Sequence, residues 1–397
     1  MKMFANARTR LFCIVVSLLL VTALLAGCGQ QAAAPKPAEP AKPQWPEKIF
    51  ISMAGPLTGD AANMGEMMKN GATLAVEEIN AAGGIKGAKI EIVIFDDKAD
   101  AKEAAVVAQK IAGDTRFVAN IGHLYSSCTM AALPIYDSAN LATISSSSSA
   151  PHVSQQGFKN FYRTIPHDQM QGPEMINQAI ATFKAKKIAI IYANDDYGRG
   201  LLAAAEGEAQ KRKAEVELVA KETYVPMTDK DFTPQLTKVR KANPDAILIL
   251  GTYVEAGPIV RQMRSLGMKQ VVMGAAGVQS SSFIELAGKS AEGAYVIGYW
   301  DPSNPSEQTQ KFVKNFQAKF GKVPEEYAGY AYDIPYLIKQ AIEKVGLDRA
   351  KVRDALRETT FNGPTGLTAF DEKGDQKSKR QVLLIVKDGK FVNAATR

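Results

Sequence analysis

Hydroxyl side chains gather in one stretch of the sequence, residues 121–151, where two apolar runs come to an end. The first run, Phe117–Gly122, stops at a glycine, and Ser126 and Ser127 follow it just before a helical pattern. The second run, 142–144, opens directly into five consecutive serines. Both runs have the length and apolar content of short strands. The sequence therefore predicts two strands that each end in hydroxyl-rich backbone.

Such serine-rich segments have the chemistry to bind a small carboxylate. Backbone N–H groups and the positive end of a helix dipole favour an anion, and serine hydroxyls donate hydrogen bonds without adding a charge. The alternative interpretation is a loop whose serines only cap helices. Two such segments after consecutive strands favour a binding site, because an open α/β sheet presents its ligand crevice at the carboxyl ends of its strands.

The surrounding sequence alternates between strands and helices in two successive blocks. In the first block, predicted strands at 48–54 and 90–95 enclose a helix that ends at two glycines. The alternation restarts after residue 163, and its predicted strands are 188–192, 216–220, Ala246–Leu250 and Val271–Gly274. This pattern is typical of parallel sheets. We therefore predict an α/β fold of two doubly wound, Rossmann-like lobes with a cleft between them.

The last hundred residues carry helices with too few strands to complete a third parallel domain. Predicted helices at Glu307–Phe320, 327–345 and 352–359 are followed by only two predicted strands, at 366–370 and 382–386. We therefore expect this tail to return to the two existing lobes.

The first 46 residues have the pattern of an export signal followed by a tether. A positively charged start precedes an apolar run at 11–26, and the sequence Leu-Ala-Gly-Cys that ends it resembles a bacterial lipobox. The short run and the small-residue cleavage site favour a lipoprotein signal peptide, residues 1–27, over an uncleaved anchor helix. The lipobox resemblance implies a diacylated Cys28, and two acyl chains suffice for stable anchoring. Residues 28–46 are rich in proline and alanine and predict an extended tether.

Composition excludes several other classes of protein. The 397 residues are 46% hydrophobic and carry a formal net charge of +7, enough apolar content for two domains. The excess positive charge forms no stripe with interleaved aromatic residues, so we predict no nucleic-acid binding. The three cysteines have no metal-ligand spacing, and Cys128 has no disulfide partner after export. We predict neither a metal nor a cofactor.

Catalytic signatures are missing as well. The sequence lacks the P-loop, zinc-protease, redox-cysteine and nucleophile-elbow motifs. Residues 198–203 match a relaxed dinucleotide-binding pattern, but five residues separate them from the preceding strand, so we interpret them as a helix entry. An esterase would need one of the serines to be activated by His123 or His152 with an acid such as Asp168, and their spacing does not support that arrangement. Capture of a small solute is therefore the preferred interpretation.

Short blocks spread along the chain resemble one known family. The blocks are GPLTG at 55–59, Asn-Gly at 70–71, EINAAGGIKG at 78–87, Asp-Asp at 96–97, IGHL at 121–124 and DDYG at 195–198. They resemble the Leu/Ile/Val-binding proteins of ABC transporters, of type I periplasmic binding protein fold, over residues 48–391. The resemblance implies two lobes that close over an amino acid about a three-crossover hinge. Lobe 1 would comprise 47–166 and 302–365, and lobe 2 would comprise 167–301 and 366–397.

The resemblance also implies a set of ligand-binding residues. Ser126 would bind the ligand carboxylate, the Ser147 carbonyl group would accept a hydrogen bond from an ammonium group, and Ser149 would contact both. Tyr197 would close over the ligand from the second lobe. The remaining candidates are Thr252 and Tyr253, where the family places a cleft-lining tyrosine, Ala276, and Met64 at the start of the first helix.

One expected feature of the family is missing from this sequence. The acidic partner of the ligand's α-ammonium group should fall at about Ala276, and no acid stands there. An ammonium group buried without a counter-charge is costly. Either a nearby acid such as Glu255 replaces it, or the ligand is a carboxylate without an α-amino group, such as an aromatic or aliphatic acid.

Together these features predict an extracytoplasmic solute-binding protein of an ABC importer, anchored by lipid on the periplasmic side or the cell surface. It would act as a monomer, capture a branched-chain or other hydrophobic amino acid in the interlobe cleft, and deliver it to a membrane permease. The alternatives are the same role for a carboxylate lacking an α-amino group, and a ligand sensor for a membrane receptor.

Overall fold

Two β-sheets organise the part of the chain that the computed structural model describes, residues 45–377 and 381–396. The strands are β1 (Lys48–Gly55), β2 (Lys89–Asp96), β3 (Phe117–Gly122), β4 (Ala142–Ser145), β5 (Phe161–Arg163), β6 (Lys187–Ala193), β7 (Glu217–Tyr224), β8 (Ala246–Leu250), β9 (Val271–Gly274), β10 (Tyr295–Gly298), β11 (Thr360–Gly363), β12 (Gly366–Ala369), β13 (Val382–Lys387) and β14 (Lys390–Asn393). The predicted signal peptide, Cys28 and the tether up to residue 44 lie outside the described residues.

Helices connect and cover these strands. They are α1 (Ala62–Ala81), α2 (Ala101–Gly113), α3 (Ser126–Ser138), α4 (Asp168–Ala181), α5 (Asp196–Lys211), α6 (Thr233–Ala242), α7 (Tyr253–Ser265), α8 (Ser281–Ala287), α9 (Glu307–Phe320), α10 (Glu326–Val345) and α11 (Arg349–Leu356). Within the described ranges, no helix is both long and apolar enough to cross a membrane.

The first sheet contains five parallel strands in the order β2-β1-β3-β4-β5. Every residue of β3 is buried, which explains its apolar sequence. A polar link runs through the sheet, because Ser52 donates to Asn120 Oδ1 over 2.9 Å and Asn120 Nδ2 donates to Thr143 Oγ1 over 2.9 Å. Since β3 and β4 are parallel neighbours, the two serine-rich segments leave the same end of this sheet.

The second sheet contains seven strands in the order β14-β13-β10-β9-β8-β6-β7. Strands β6 to β10 are parallel, and β13 and β14 add an antiparallel edge. Ile190 and Leu248 of this sheet pack against Met175 of α4 and Leu201 of α5 in a buried cluster. The second lobe is therefore built from the second block of strand–helix alternation.

Helix α5 begins at the segment that matched the dinucleotide-binding pattern. Asp195 caps the helix by accepting a hydrogen bond from the Gly198 N–H group over 2.8 Å. A Cβ atom on Gly198 would lie 2.1 Å from the Ala193 carbonyl oxygen, so only glycine fits this close approach. The glycine therefore serves local packing at a helix entry.

The tail helices pack on the first lobe. A Cβ atom on Gly71 of α1 would lie 2.1 Å from the Ala328 carbonyl oxygen, so α1 and α10 approach closely at this glycine. Glu78 of α1 accepts hydrogen bonds from Asn315 of α9, over 2.8 Å, and from Tyr336 of α10, over 2.9 Å. The tail thus returns to an existing lobe.

Among the described elements, the chain passes three times from one lobe to the other, after residue 163, after residue 298 and after residue 369. The third passage lies later than the predicted boundary at residue 366. Strand β12 pairs with β11, and the Arg163 N–H group of β5 donates to the Gly374 carbonyl oxygen over 3.0 Å. Only β13 and β14 of the last segment join the second sheet, because an ion pair and a backbone contact hold the residues before them beside β5.

Candidate ligand-binding site

A cavity lies between the carboxyl ends of the strands of the two sheets. The volume of this cavity is about 20 Å³, so its walls stand close together and leave room for little more than a water molecule.

Most of the site residues predicted from the sequence meet at this cavity. Its lining includes Met64, Ser126, Ser147, Ser149, Tyr197, Thr252 and Ala276. Tyr253 does not belong to the lining. It is buried, and its hydroxyl group donates to the Asp60 carbonyl oxygen over 3.0 Å. Tyr253 thus joins the two lobes beside the cavity, and Thr252 occupies the lining position.

Ser126 is the first residue of α3, so the helix begins earlier than the sequence pattern after Ser127 indicated. Tyr125 precedes it with extended backbone and offers no side-chain cap, so the first N–H groups of the helix have no side-chain acceptor at that position. The Ser126 hydroxyl accepts a hydrogen bond from the Ala150 N–H group over 3.3 Å. This combination of helix N-terminus and buried hydroxyl favours an anion at this wall of the cavity.

Four serines of the run of five divide into two kinds of residue. Ser145 donates to the His123 carbonyl oxygen over 2.6 Å and accepts from the N–H groups of Ser147 and Ser148, over 3.1 and 2.8 Å. Ser148 turns its hydroxyl to the same carbonyl oxygen. Ser147 and Ser149 instead line the cavity. The capping interpretation therefore describes some of these serines, while Ser147 and Ser149 form part of the cavity wall.

Tyr197 reaches the cavity from α5 of the second lobe. Its hydroxyl oxygen accepts a hydrogen bond from the Gly277 N–H group over 3.2 Å. A Cβ atom on Gly277 would lie 3.2 Å from the Tyr197 ring and 2.7 Å from the Gly251 carbonyl oxygen, so glycine permits this contact. Burial raises the pKa of Tyr197 well above its ordinary value, so the phenol remains a neutral hydrogen-bond donor.

Glu255, the acid considered as a replacement for the one missing at Ala276, does not line the cavity. Glu255 is buried, its Oε1 accepts from the Met227 N–H group over 2.8 Å, and its Oε2 accepts from Thr252 over 3.3 Å. Burial raises its pKa, and the cavity lining does not include it. Both oxygens of Glu255 are thus occupied by protein donors.

A different acid, Glu326, lines the cavity. It is the first residue of α10 and is fully buried. Its Oε2 accepts a hydrogen bond from the Tyr299 N–H group over 2.9 Å, whereas Oε1 has no hydrogen-bond partner among the described residues. Burial raises the pKa of Glu326 to about 8, while the Tyr299 N–H group and the nearby Trp300 N–H group lower it. In the sequence, Glu326 is only the second of two acids before a predicted helix, so the sequence did not indicate it as a site residue.

A second buried acid, Asp168, stands behind the serine loop. Its N–H group donates to the Ser149 carbonyl oxygen over 3.0 Å. Burial raises the pKa of Asp168 to about 7, while the nearby Ser149 hydroxyl and Arg163 lower it. The Ser149 hydroxyl is close, but neither carboxylate oxygen has a well-formed hydrogen bond in the described part of the chain.

The remaining lining residues were not singled out from the sequence. They are Leu124, Tyr125, Ile165, Gly277, Glu326 and Tyr327. Leu124 and Tyr125 adjoin Ser126, so proximity to a predicted site residue could have indicated them. Ile165 lies in the first passage between the lobes, and Tyr327 is the second residue of α10, far along the chain. With Met64, these side chains give one part of the cavity an apolar wall.

The histidines do not form the catalytic arrangement considered for an esterase. The His123 ring contacts Asp97 Oδ2 over 2.6 Å and the Tyr136 hydroxyl over 3.1 Å, so both of its nitrogens are taken. His152 Nε2 lies 3.2 Å from Asp196 Oδ1. Among the described residues, no group of three or more acidic, histidine or cysteine side chains could hold a metal ion.

Two α/β lobes around a cavity at the carboxyl ends of their strands define the type I periplasmic binding protein fold. The chain belongs to the periplasmic binding protein family, whose family model matches residues 48–390. This is a family of solute-binding proteins and not an enzyme class. The fold class predicted from the sequence is therefore confirmed.

Individual relatives show which members of this family the chain resembles. The chain is 36% identical over 338 residues to the leucine-, isoleucine-, valine-, threonine- and alanine-binding protein of Pseudomonas aeruginosa, covering 84% of this chain and 88% of that protein. It is 33% identical to the Leu/Ile/Val-binding protein of Escherichia coli, covering 83% and 89% of the two chains. A branched-chain amino acid transporter substrate binding protein of Streptococcus pneumoniae, solved with isoleucine, superposes with a TM-score of 0.81 at 30% identity, covering 87% and 97%. The predicted resemblance to Leu/Ile/Val-binding proteins is confirmed.

Proposed function

We propose that this protein is the extracytoplasmic solute-binding protein of an ABC importer, and that it captures a branched-chain or other hydrophobic amino acid. One observation carries the proposal: Ser126, at the N-terminus of α3, lines a partly apolar cavity. Relatives that bear the names of leucine, isoleucine and valine binders support this choice of ligand.

The two ends of an amino acid match two regions of the cavity. Its carboxylate would accept hydrogen bonds from Ser126 and the N-terminus of α3, where the helix dipole favours negative charge. The Ser147 carbonyl oxygen and the Ser149 hydroxyl would meet the ammonium group. The apolar side chain would pack against Met64 and Tyr327, which removes apolar surface from water.

Closure of the two lobes would hold the ligand in the cavity. Tyr197 and Thr252 reach the cavity from the second lobe, while the serines belong to the first, so a bound ligand bridges both. A ligand that contacts both lobes stabilises the closed arrangement by its differential affinity. The permease would then recognise the closed, loaded form.

Lipid anchoring completes the proposal. A diacylated Cys28 would hold the protein, acting as a monomer, at the outer side of a bacterial membrane, and residues 28–46 would let the two lobes reach the permease. The family name supports an extracytoplasmic location.

A second candidate ligand is a carboxylate without an α-amino group. The observation that favours it is Ala276, which supplies no carboxylate at the position where the family's counter-charge is expected. Such an acid would use the same anion site at Ser126.

Thermal unfolding of the full chain in mild detergent separates these candidates. A ligand at a hundred times its dissociation constant adds about 2.7 kcal/mol to the free energy of unfolding. We expect L-leucine or L-phenylalanine to raise the unfolding temperature, whereas 4-methylpentanoate and phenylacetate leave it unchanged. A shift with 4-methylpentanoate, phenylacetate or benzoate alone would contradict amino acid binding and identify an organic acid importer.

A further inference from the structure

Glu326 presents an unused acceptor to the ligand cavity. Its side chain is fully buried and lines the cavity, and its Oε1 has no partner within the described residues. The other oxygen is fixed by the Tyr299 N–H group over 2.9 Å. A buried carboxyl group without its hydrogen-bond partner is unfavourable, so a partner supplied by the ligand would relieve that cost.

Glu326 also lies in the same cavity as Ala276, where the expected acid is missing. Both residues line the cavity, one from the first lobe and one from the second. A Cβ atom on Gly298 would lie 1.9 Å from Gln279 Oε1 and 3.4 Å from Glu326 Oε2, which places the Glu326 carboxyl group beside the segment that follows Ala276. A carboxylate from α10 thus reaches the region where the loop after β9 offers only a methyl group.

We propose that Glu326 Oε1 accepts a hydrogen bond from the α-ammonium group of the bound amino acid and replaces the acid missing at Ala276. The inference rests on the proposed function, since it requires a ligand with an amino group. It assigns the specificity for α-amino acids over plain carboxylates to a residue of the first lobe. The ligand's ammonium group, held at Ser147 and Ser149 of the same lobe, would lie against this carboxyl group.

Proton exchange provides a signature of this contact. Because burial raises the pKa of Glu326 to about 8, the carboxyl group of the empty cavity is mostly protonated at neutral pH. An ammonium group favours the ionised form and lowers this pKa, so binding releases a proton, roughly 0.9 per ligand at pH 7. Affinity therefore rises with pH until it levels off above about pH 8, by up to ~10-fold per pH unit.

Other groups that face Glu326 do not reproduce this behaviour. Glu325, the residue just before α10, adds negative charge, which raises the pKa of Glu326. Tyr197 of α5, Tyr299 after β10 and Tyr327 of α10 are held neutral, because burial raises each pKa well above its ordinary value. Asp168 of α4 is the remaining acid that acts on Tyr197 and Tyr299, and burial raises its pKa to about 7. An Asp168 variant is therefore a necessary comparison.

The test is isothermal titration of L-leucine and 4-methylpentanoate into the full chain, in phosphate and Tris buffers between pH 6 and 8. The difference in heat between the buffers counts the protons released. We compare wild type with Glu326→Gln, with Asp168→Asn, and with Glu285→Gln, which removes an exposed acid on α8. Circular dichroism and thermal unfolding show that each variant is folded.

We expect Glu326→Gln to lose the proton release and to weaken leucine binding roughly 30-fold or more, the effect of removing one partner of a buried charged hydrogen bond. Affinity for 4-methylpentanoate should not fall, and Glu285→Gln and Asp168→Asn should keep the proton release. Leucine binding with wild-type affinity and proton release in Glu326→Gln would overturn the inference but leave the proposed function intact. Loss of the release in Asp168→Asn alone would transfer the role to Asp168 and equally overturn it. A wild-type protein that binds 4-methylpentanoate but no amino acid would refute the proposed function and the inference together.

Discussion

At the scale of single residues, identical side chains in one run have different tasks. The sequence places a serine-rich site after β3 and β4, but five consecutive serines carry no signal that separates a cap from a ligand contact. The backbone turn determines which serine does which, because Ser145 and Ser148 face the His123 carbonyl oxygen while Ser147 and Ser149 line the cavity. Glu326 was missed for a related reason: its burial arises from packing against residues far away in the sequence.

Ser126 is the residue that should matter most for the ligand's carboxylate. We expect Ser126→Ala to weaken leucine binding about 10-fold or more, because a hydrogen bond to a charged group contributes roughly 1.5–3 kcal/mol. Equilibrium dialysis with radiolabelled leucine measures this change. Ser138→Ala is the control, since that exposed serine lies at the other end of α3 and bonds only to the Pro134 carbonyl oxygen. Equal binding by wild type and Ser126→Ala would contradict the assigned carboxylate site.

At the scale of elements, segments with a clear apolar pattern were predictable, whereas a short strand that ends in a buried charge was not. Predicted and observed bounds coincide for β3, β8, β9 and α9, because each has a clear apolar pattern. Strand β5 was missed, since it has three residues and ends in Arg163, a charged residue that a buried strand does not normally contain. Its partner Asp375 comes from the third passage between the lobes, 212 positions along the chain. No local pattern could reveal that pairing.

This buried ion pair ties β5 to the passage and also supports the serine loop. Arg163 Nε donates to Asp375 Oδ1 over 2.6 Å, and Arg163 Nη1 donates to the carbonyl oxygens of Ser148 and Ala150, over 2.9 and 3.0 Å. We expect Asp375→Asn to lower the free energy of unfolding by about 3 kcal/mol or more, because it leaves a buried guanidinium group without its counter-charge. Urea denaturation measures the loss.

The matched control for that prediction is Asp114→Asn. It breaks the pair between Arg116 Nη2 and Asp114 Oδ2, 2.7 Å apart, in which the arginine is exposed to solvent. Exposed pairs contribute little to stability. An Asp375→Asn variant as stable as Asp114→Asn would show that the Arg163 pair does not hold these elements together.

At the scale of the whole molecule, two lobes meet through contacts beside the cavity. Asn63 of α1 donates to the Ser280 hydroxyl over 2.9 Å, and Lys230 pairs with Asp60 Oδ2 over 2.8 Å. The strand–helix alternation predicted the lobes, and the family resemblance predicted three passages between them. Neither the alternation nor the resemblance predicted that the third passage lies later in the chain. Its position depends on the pairing of β12 with β11 and on Arg163.

Leucine binding to Ala276→Trp is the most direct test of whether the ligand occupies the cavity between the lobes. Ala276 is buried in the cavity wall, and an indole ring there would fill the space between the lobes. The control is Val106→Trp on α2, whose side chain is 46% exposed. We predict that titration calorimetry finds one leucine bound per chain in wild type and Val106→Trp, and none in a folded Ala276→Trp. Undiminished leucine binding by Ala276→Trp would show that the ligand does not occupy this cavity, which contradicts the central claim.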